Sequence, residues 1–215
     1  MRYLGTLALG LLFGGVLCGA QTAGARHTHN AALQKQSLRS ADLERQVEMI
    51  FLQCIRVLAG EKDDRKERIE QLATKEEVTD ILRKMVARHR YAREESLGLI
   101  YLMGATSMLG ELGDKEAERG LAVMIFDRRV HEDVRAMAVR SLGNIDPESN
   151  KELLLKALRS KKSDYFDIRV GAAEGLAKVR DPRVRTALEH AARHESDLYV
   201  RGKFQEAAQQ ASSIQ

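Results

Sequence analysis

Cysteine and aromatic side chains are what this sequence has least of. Two cysteines in 215 residues, with no second pair, exclude both a disulfide framework and a zinc site built on paired cysteines. Tryptophan is absent and aromatics make up only 5%. Charge of one sign is lacking too. Lys+Arg number 35 against 31 Asp+Glu, a net of +4, and nucleic-acid binding would call for a basic stripe rather than so mild a balance. No phosphate loop, nucleophilic-serine elbow or run of alternating polar and apolar residues occurs. The chain is therefore expected to be all-α.

Proline is as scarce as cysteine, and its placement is informative. Both prolines fall at the same place in a phrase that occurs twice, once over Asp133–Pro147 and again over Asp167–Pro182. The register is 34 residues until the extra Arg180 makes it 35. A period of that size marks stacked helical pairs, each unable to bury its apolar face alone. Val134, Ala138, Leu142 and Ile145 share one helical face, as do Ile168, Ala172, Leu176 and Val179. Small residues such as Ala172, Ala173 and Gly175 let neighbouring helices approach. Proline suits the first turn of a helix, where its missing N–H costs nothing, and the aspartate before it can accept from the free amides. Asp146, Pro147, Asp181 and Pro182 are thus expected to open second helices over Pro147–Ser160 and Pro182–His194, with first helices ending near Ile145 and Val179.

A weaker copy runs from Ala105 to Asp114, with Lys115 where proline would stand, and a half-copy starts at Asp197. Leu97–Leu112 is apolar but interrupted by Gly98, Gly104, Thr106 and Ser107, as a buried first helix would be. Upstream, Thr74-Lys-Glu-Glu77 is a capping box ahead of the stripe Val78, Ile81, Leu82, Met85 and Val86. Ala41–Ala59 carries another stripe through Leu43, Val47, Ile50, Phe51, Cys54 and Leu58.

The phrase of Asp, Val-Arg, small residues, Leu-Gly and Asp-Pro resembles the bacterial HEAT-repeat family, in particular the short repeats of phycobiliprotein-lyase type. It is carried by Asp133, Val134, Arg135, Ala138, Leu142, Gly143, Asp146 and Pro147, and again by Asp167, Ile168, Arg169, Ala172, Ala173, Leu176, Asp181 and Pro182. The resemblance implies a right-handed α-solenoid of antiparallel helical pairs. It also implies that Asp133, Arg135, Asp167, Arg169 and Arg201 bond along the stack as a structural ladder. Residues 94–212 are expected to form these repeats, and 41–93 to form N-terminal helices that are divergent repeats or a cap.

Ahead of them, Arg2 precedes an apolar run from Leu4 to Val16, followed by small residues. This reads as a cleavable signal peptide over residues 1–20, cut after Ala20 or after Ala25, then a disordered tether over 21–40. The run is shorter than the ~20 residues of a spanning helix. Lipidation at Cys18 is disfavoured by Leu17 before it. A periplasmic or secreted location follows, with no transmembrane span in the mature chain. Cys54 would then be the single thiol, on the apolar stripe of its helix. It reads as a buried, inert residue, the alternative being a redox contact.

Candidate chemistry is sparse. The pairs His131-Glu132 and His194-Glu195 invite comparison with HEAT-like iron hydroxylases, whose His-Glu pairs follow the repeated Val-Arg. Here Ala136-Met137, Val170-Gly171 and Gly202-Lys203 stand at those positions. A lyase function is not implied either, since nothing marks a tetrapyrrole pocket. His27-Thr28-His29 makes a poor metal site on a flexible segment. No catalytic residue, cofactor or metal is expected. What remains is the surface of the second helices, which in this family lines the concave face. Lys156 falls in register over His190, Arg159 over Arg193, and Lys151 over Arg185. Lys156, Arg159, His190 and Arg193 are the expected contact set for another protein or an acidic peptide. The function expected is an exported, non-catalytic binding scaffold. The alternative is an accessory or regulatory domain of an envelope enzyme, or of a redox-linked partner through Cys54.

Overall fold

Helices follow one another along the chain, and no strand occurs among the described residues. The computed structural model describes the backbone of residues 14–52, 63–160 and 168–213, and side chains within 33–52, 63–160 and 168–211. The helices are α1 (Gly14–Leu52), α2 (Arg65–Leu72), α3 (Lys75–His89), α4 (Leu97–Glu111), α5 (Glu118–Phe126), α6 (Glu132–Ile145), α7 (Lys151–Leu158), α8 (Ile168–Leu176), α9 (Pro182–His194) and α10 (Leu198–Ser213). A short 3-10 turn, Lys115–Ala117, leads into α5.

Two compact units divide the chain, Met1–Gln46 and Val47–Gln215. In the first, the backbone across residues 21–40, expected as a disordered tether, is helical as part of α1. The reason is composition. From Ala25 to Gln46 the sequence holds neither glycine nor proline and is rich in Ala, Leu, Gln and Arg, all good helix formers. Leu33 and Leu38 are exposed there, so no apolar stripe betrayed the helix. The first 13 residues of the expected signal peptide lie outside the described residues, as do Cys54 and Asp167.

In the second unit α4, α6, α8 and α10 stack side by side as one layer, and α3, α5, α7 and α9 form the other. The stripes meet inside. Val134, Ala138, Leu142, Ala172, Leu176 and Val179 are wholly buried, as are Val47, Ile69, Leu82, Met85 and Leu102. Each second-layer helix packs chiefly on the first-layer helix that follows it, α7 on α8 and α9 on α10, rather than on the one before. The repeat period cannot say which neighbour takes the apolar face. Here Gly175 decides it: without a Cβ it leaves room for Leu154, whose δ-carbons lie 3.1 and 3.3 Å from where that Cβ would be.

The same absence brings the first-layer helices together. A Cβ on Gly143 would lie 2.5 Å from Gly175 Cα, and one on Gly110 would lie 2.6 Å from Ser141 Cα. At the second contact the Ser141 hydroxyl donates to the Thr106 carbonyl at 2.8 Å. Gly113, with φ of 65°, ends α4 in the left-handed conformation that favours glycine.

The boundaries show where the sequence expectations hold. Asp181 caps α9, accepting from Arg183 N at 2.9 Å, with Pro182 in the first turn. Thr74 and Glu77 form the capping box of α3. By contrast α7 begins at Lys151, not Pro147, and ends at Leu158. Asp146 instead caps a turn, accepting from Ser149 N at 3.1 Å. The Asn150 amide donates to the Asp146 carbonyl at 2.9 Å, holding residues 147–150 outside the helix proper. Likewise α8 stops at Leu176, because Lys178 and Val179 donate to carbonyls three residues back and tighten the last turn.

Polar ties between repeats run through the aspartates of these turns. Arg83 Nη1 reaches both oxygens of Asp114, at 3.0 and 3.1 Å. Lys115 Nζ reaches Asp146 at 3.2 Å and Lys151 Nζ reaches Asp181 at 2.8 Å. The ladder expected from Asp133, Arg135, Asp167, Arg169 and Arg201 involves other residues, and Asp167 lies outside the described ones. Asp133 Oδ1 and Arg135 Nε are buried and have no hydrogen-bond partner among the described residues.

Two predictions follow from the packing. Gly143→Ala should destabilise by about 1–3 kcal/mol through overpacking, whereas Gly120→Ala, with open space around it, should stabilise by up to ~1 kcal/mol. Urea denaturation of both variants checks this. The second concerns acid. Asp181 is held well below the usual carboxylate range by Arg183 and Lys151, and Asp146 is lowered by Ser149 and then Lys115. The stability they add is complete above the ordinary value of about 4 and is lost as pH falls below it. Asp181→Asn should therefore flatten the acid limb of the stability curve, measured by melting temperature against pH.

Candidate functional site

The last second-layer helix, α9, positions most of the candidate residues. Val184, Leu188 and Ala192 bury its inner face, which leaves two polar flanks at helical spacing. Each flank lines a groove.

On one flank, Thr186, Ala187, His190 and Ala191 face Leu158 and Arg159 at the end of α7. Arg183 and His194 extend this rim, and the space between is about 590 Å³. Its floor is apolar, made by Leu158, Ala187, Ala191 and the Phe204 ring. Beneath it Arg169 pairs with Glu195, whose side chains are 12% and 5% exposed. Glu195 also accepts from Asp197 N at 2.8 Å. The Arg169 guanidinium lies 5.9 Å from the Phe204 ring centroid. The rings of His190 and His194, one turn apart, approach to 4.4 Å between centroids.

On the other flank, Arg185, Glu189 and Arg193 face Arg201, Gln205 and Gln209 of α10 across about 770 Å³. Arg185 donates to Glu189 at 2.8 Å.

The four expected contact residues are all exposed, but they do not form one stripe. Arg159 and His190 share the first groove. Arg193 lies in the second, on the far side of α9. Lys156 turns towards the preceding repeat, its Nζ 4.4 Å from the Phe126 ring centroid on α5. Lys151 is engaged by Asp181. Of the expected ladder, Arg169 is a structural ion pair with Glu195, and Arg201 lines the second groove.

His131 Nδ1 accepts from Asp133 N at 3.3 Å and so caps α6, while Glu195 is tied to Arg169. Neither His-Glu pair converges with other ligands. Among the described residues no group of three or more His, Cys, Asp or Glu could hold a metal ion. None of their helices is long and apolar enough to cross a membrane.

Sequence reasoning overlooked Lys115 and Lys151 as ties between repeats. A signal was present: each lies 30 or 31 residues before the turn aspartate it reaches. It also overlooked Arg183, His194, Gln205 and Gln209, which become site residues only when neighbouring helices face them.

The stacked helix pairs, their period near 34 residues and the ties between equivalent turns define a repeat array. A family model of HEAT repeats matches residues 121–209. These residues are HEAT repeats. The matched segment runs from α5 into α10 and contains both grooves. Upstream of it, α3 and α4 pack in the same two-layer manner. The chain matches no curated protein.

The ion pair under the first groove is largely buried on both sides. Arg169→Ala should destabilise by about 3–5 kcal/mol, because it takes the cation away from the buried Glu195 carboxylate. Removing both partners should cost less than removing Arg169 alone. Chemical denaturation of the two single variants and the double variant checks this.

Proposed function

We propose that the chain is an exported, non-catalytic scaffold that binds another protein through its second-layer helices. HEAT repeats generally serve as protein-interaction scaffolds, and residues 121–209 carry them. The observation that bears most on the site is the first groove. Arg159 and His190, from successive repeats, stand with Arg183 and His194 around a floor of Leu158, Ala187, Ala191 and Phe204. A rim that carries the cations Arg159 and Arg183 over an apolar floor suits a partner segment that carries carboxylates beside an apolar side chain. The floor would supply desolvated contact and the rim charge-assisted hydrogen bonds. Export rests on Arg2, the apolar run from Leu4 to Val16 and the small residues after it.

The test is crosslinked affinity purification from the native envelope, with the wild type beside an Arg159→Glu/His190→Glu variant. A protein retained by the wild type and lost from the variant, with the helical signal unchanged, is the expected outcome. Equal recovery by both would remove the site from this groove. Mass spectrometry of the native N-terminus, expected at Gln21 or Arg26, tests export.

A further inference from the structure

The groove between α9 and α10 differs from the first in having polar walls along its length. Arg185, Glu189 and Arg193 are spaced by four along α9, and Arg201, Gln205 and Gln209 by four along α10. Four residues of helix rise about 6 Å. Two residues of an extended peptide rise about 6.7 Å, and that is the interval at which its main-chain groups recur on one side. The two repeats match over the length of this groove. A glutamine amide both donates and accepts, so Gln205 and Gln209 can each meet a peptide N–H and C=O. The cations supply the remaining specificity: three guanidinium groups stand against one carboxylate, and Glu189 is already bonded to Arg185.

We propose that this second groove binds an extended acidic segment of a partner protein, four to five residues long. Gln205 and Gln209 would hold its main chain, and Arg193 and Arg201, on either side of the groove near the turn between the helices, a carboxylate at one end of it. The inference concerns a different groove from the one proposed above and does not depend on it. A second copy of this chain is a poorer occupant, since the rows would then have to find acidic side chains at the same spacing.

Fluorescence anisotropy tests it with a labelled peptide of alternating Asp and Thr. The controls are its Asn-for-Asp counterpart and a helix-forming peptide of equal charge. The wild type should bind the acidic extended peptide at least about tenfold more tightly than either control. Gln205→Met/Gln209→Met should weaken that binding about tenfold while leaving the weak binding of the helical peptide unchanged. Arg193→Glu/Arg201→Glu should abolish it. Circular dichroism checks that each variant remains folded. Arg159→Glu/His190→Glu, in the other groove, should have no effect.

No binding by the wild type overturns the proposal. So does equal affinity for the helical peptide, or indifference to the glutamine substitutions, either of which would mean a charged patch that does not read the main chain. Loss only in the Arg159→Glu/His190→Glu variant would overturn it while leaving the first-groove reading intact. Light scattering that shows a dimer lost in Arg193→Glu/Arg201→Glu would make a second copy the occupant and overturn it as well.

Discussion

The stack depends on backbones that touch. Where Gly143 of α6 meets Gly175 of α8 there is no room for a Cβ on Gly143, and where Gly110 of α4 meets Ser141 of α6 the clearance is nearly as small. Such contacts set the distance between first-layer helices, and that distance decides what can be buried around them. Leu154 reaches Gly175 because the same missing side chain leaves a hole on the second-layer side. One glycine therefore serves two interfaces, and the second-layer helix is drawn onto the helix that follows it.

Polar ties then hold the register that the glycines permit. The turn aspartates Asp114, Asp146 and Asp181 accept from Arg83, Lys115 and Lys151 of the preceding repeat. These pairs are partly exposed, so each adds little stability alone. Their value lies in repetition, since equivalent turns are joined by equivalent bonds. Further ties join residues 34 and 32 positions apart. Arg140 donates to Glu174 at 2.6 Å, and Arg180 N donates to Glu148 at 2.7 Å.

The two grooves follow from this arrangement. Because α9 packs on α10 through a narrow stripe of Val184, Leu188 and Ala192, both its flanks stay open. One flank meets the end of α7 over an apolar floor. The other meets a polar row of α10. A single amphipathic helix thus offers two surfaces of different chemistry to whatever binds the array.

How much of this was legible beforehand depended on whether the signal was local. The two phrases, the Asp181-Pro182 junction and the stripe through Leu142 and Leu176 needed only the residues themselves, because helical period and capping are local properties. The Thr74 capping box and the α9 boundaries were readable for the same reason. The helix across residues 21–40 was not, since it carries no apolar stripe and only its composition favours it. The contact set was split because it is a relation between repeats. Register placed Arg159 and Arg193 at equivalent positions, yet equivalence along the chain does not say which side of a helix faces a groove. That side is set by how far the helix rotates about its buried stripe when it packs. The sequence alone determined that this chain is a helical repeat. Only the tertiary structure decided which helix packs on which, which aspartates tie the repeats, and which cations share a groove, because each depends on close approach between residues about thirty positions apart.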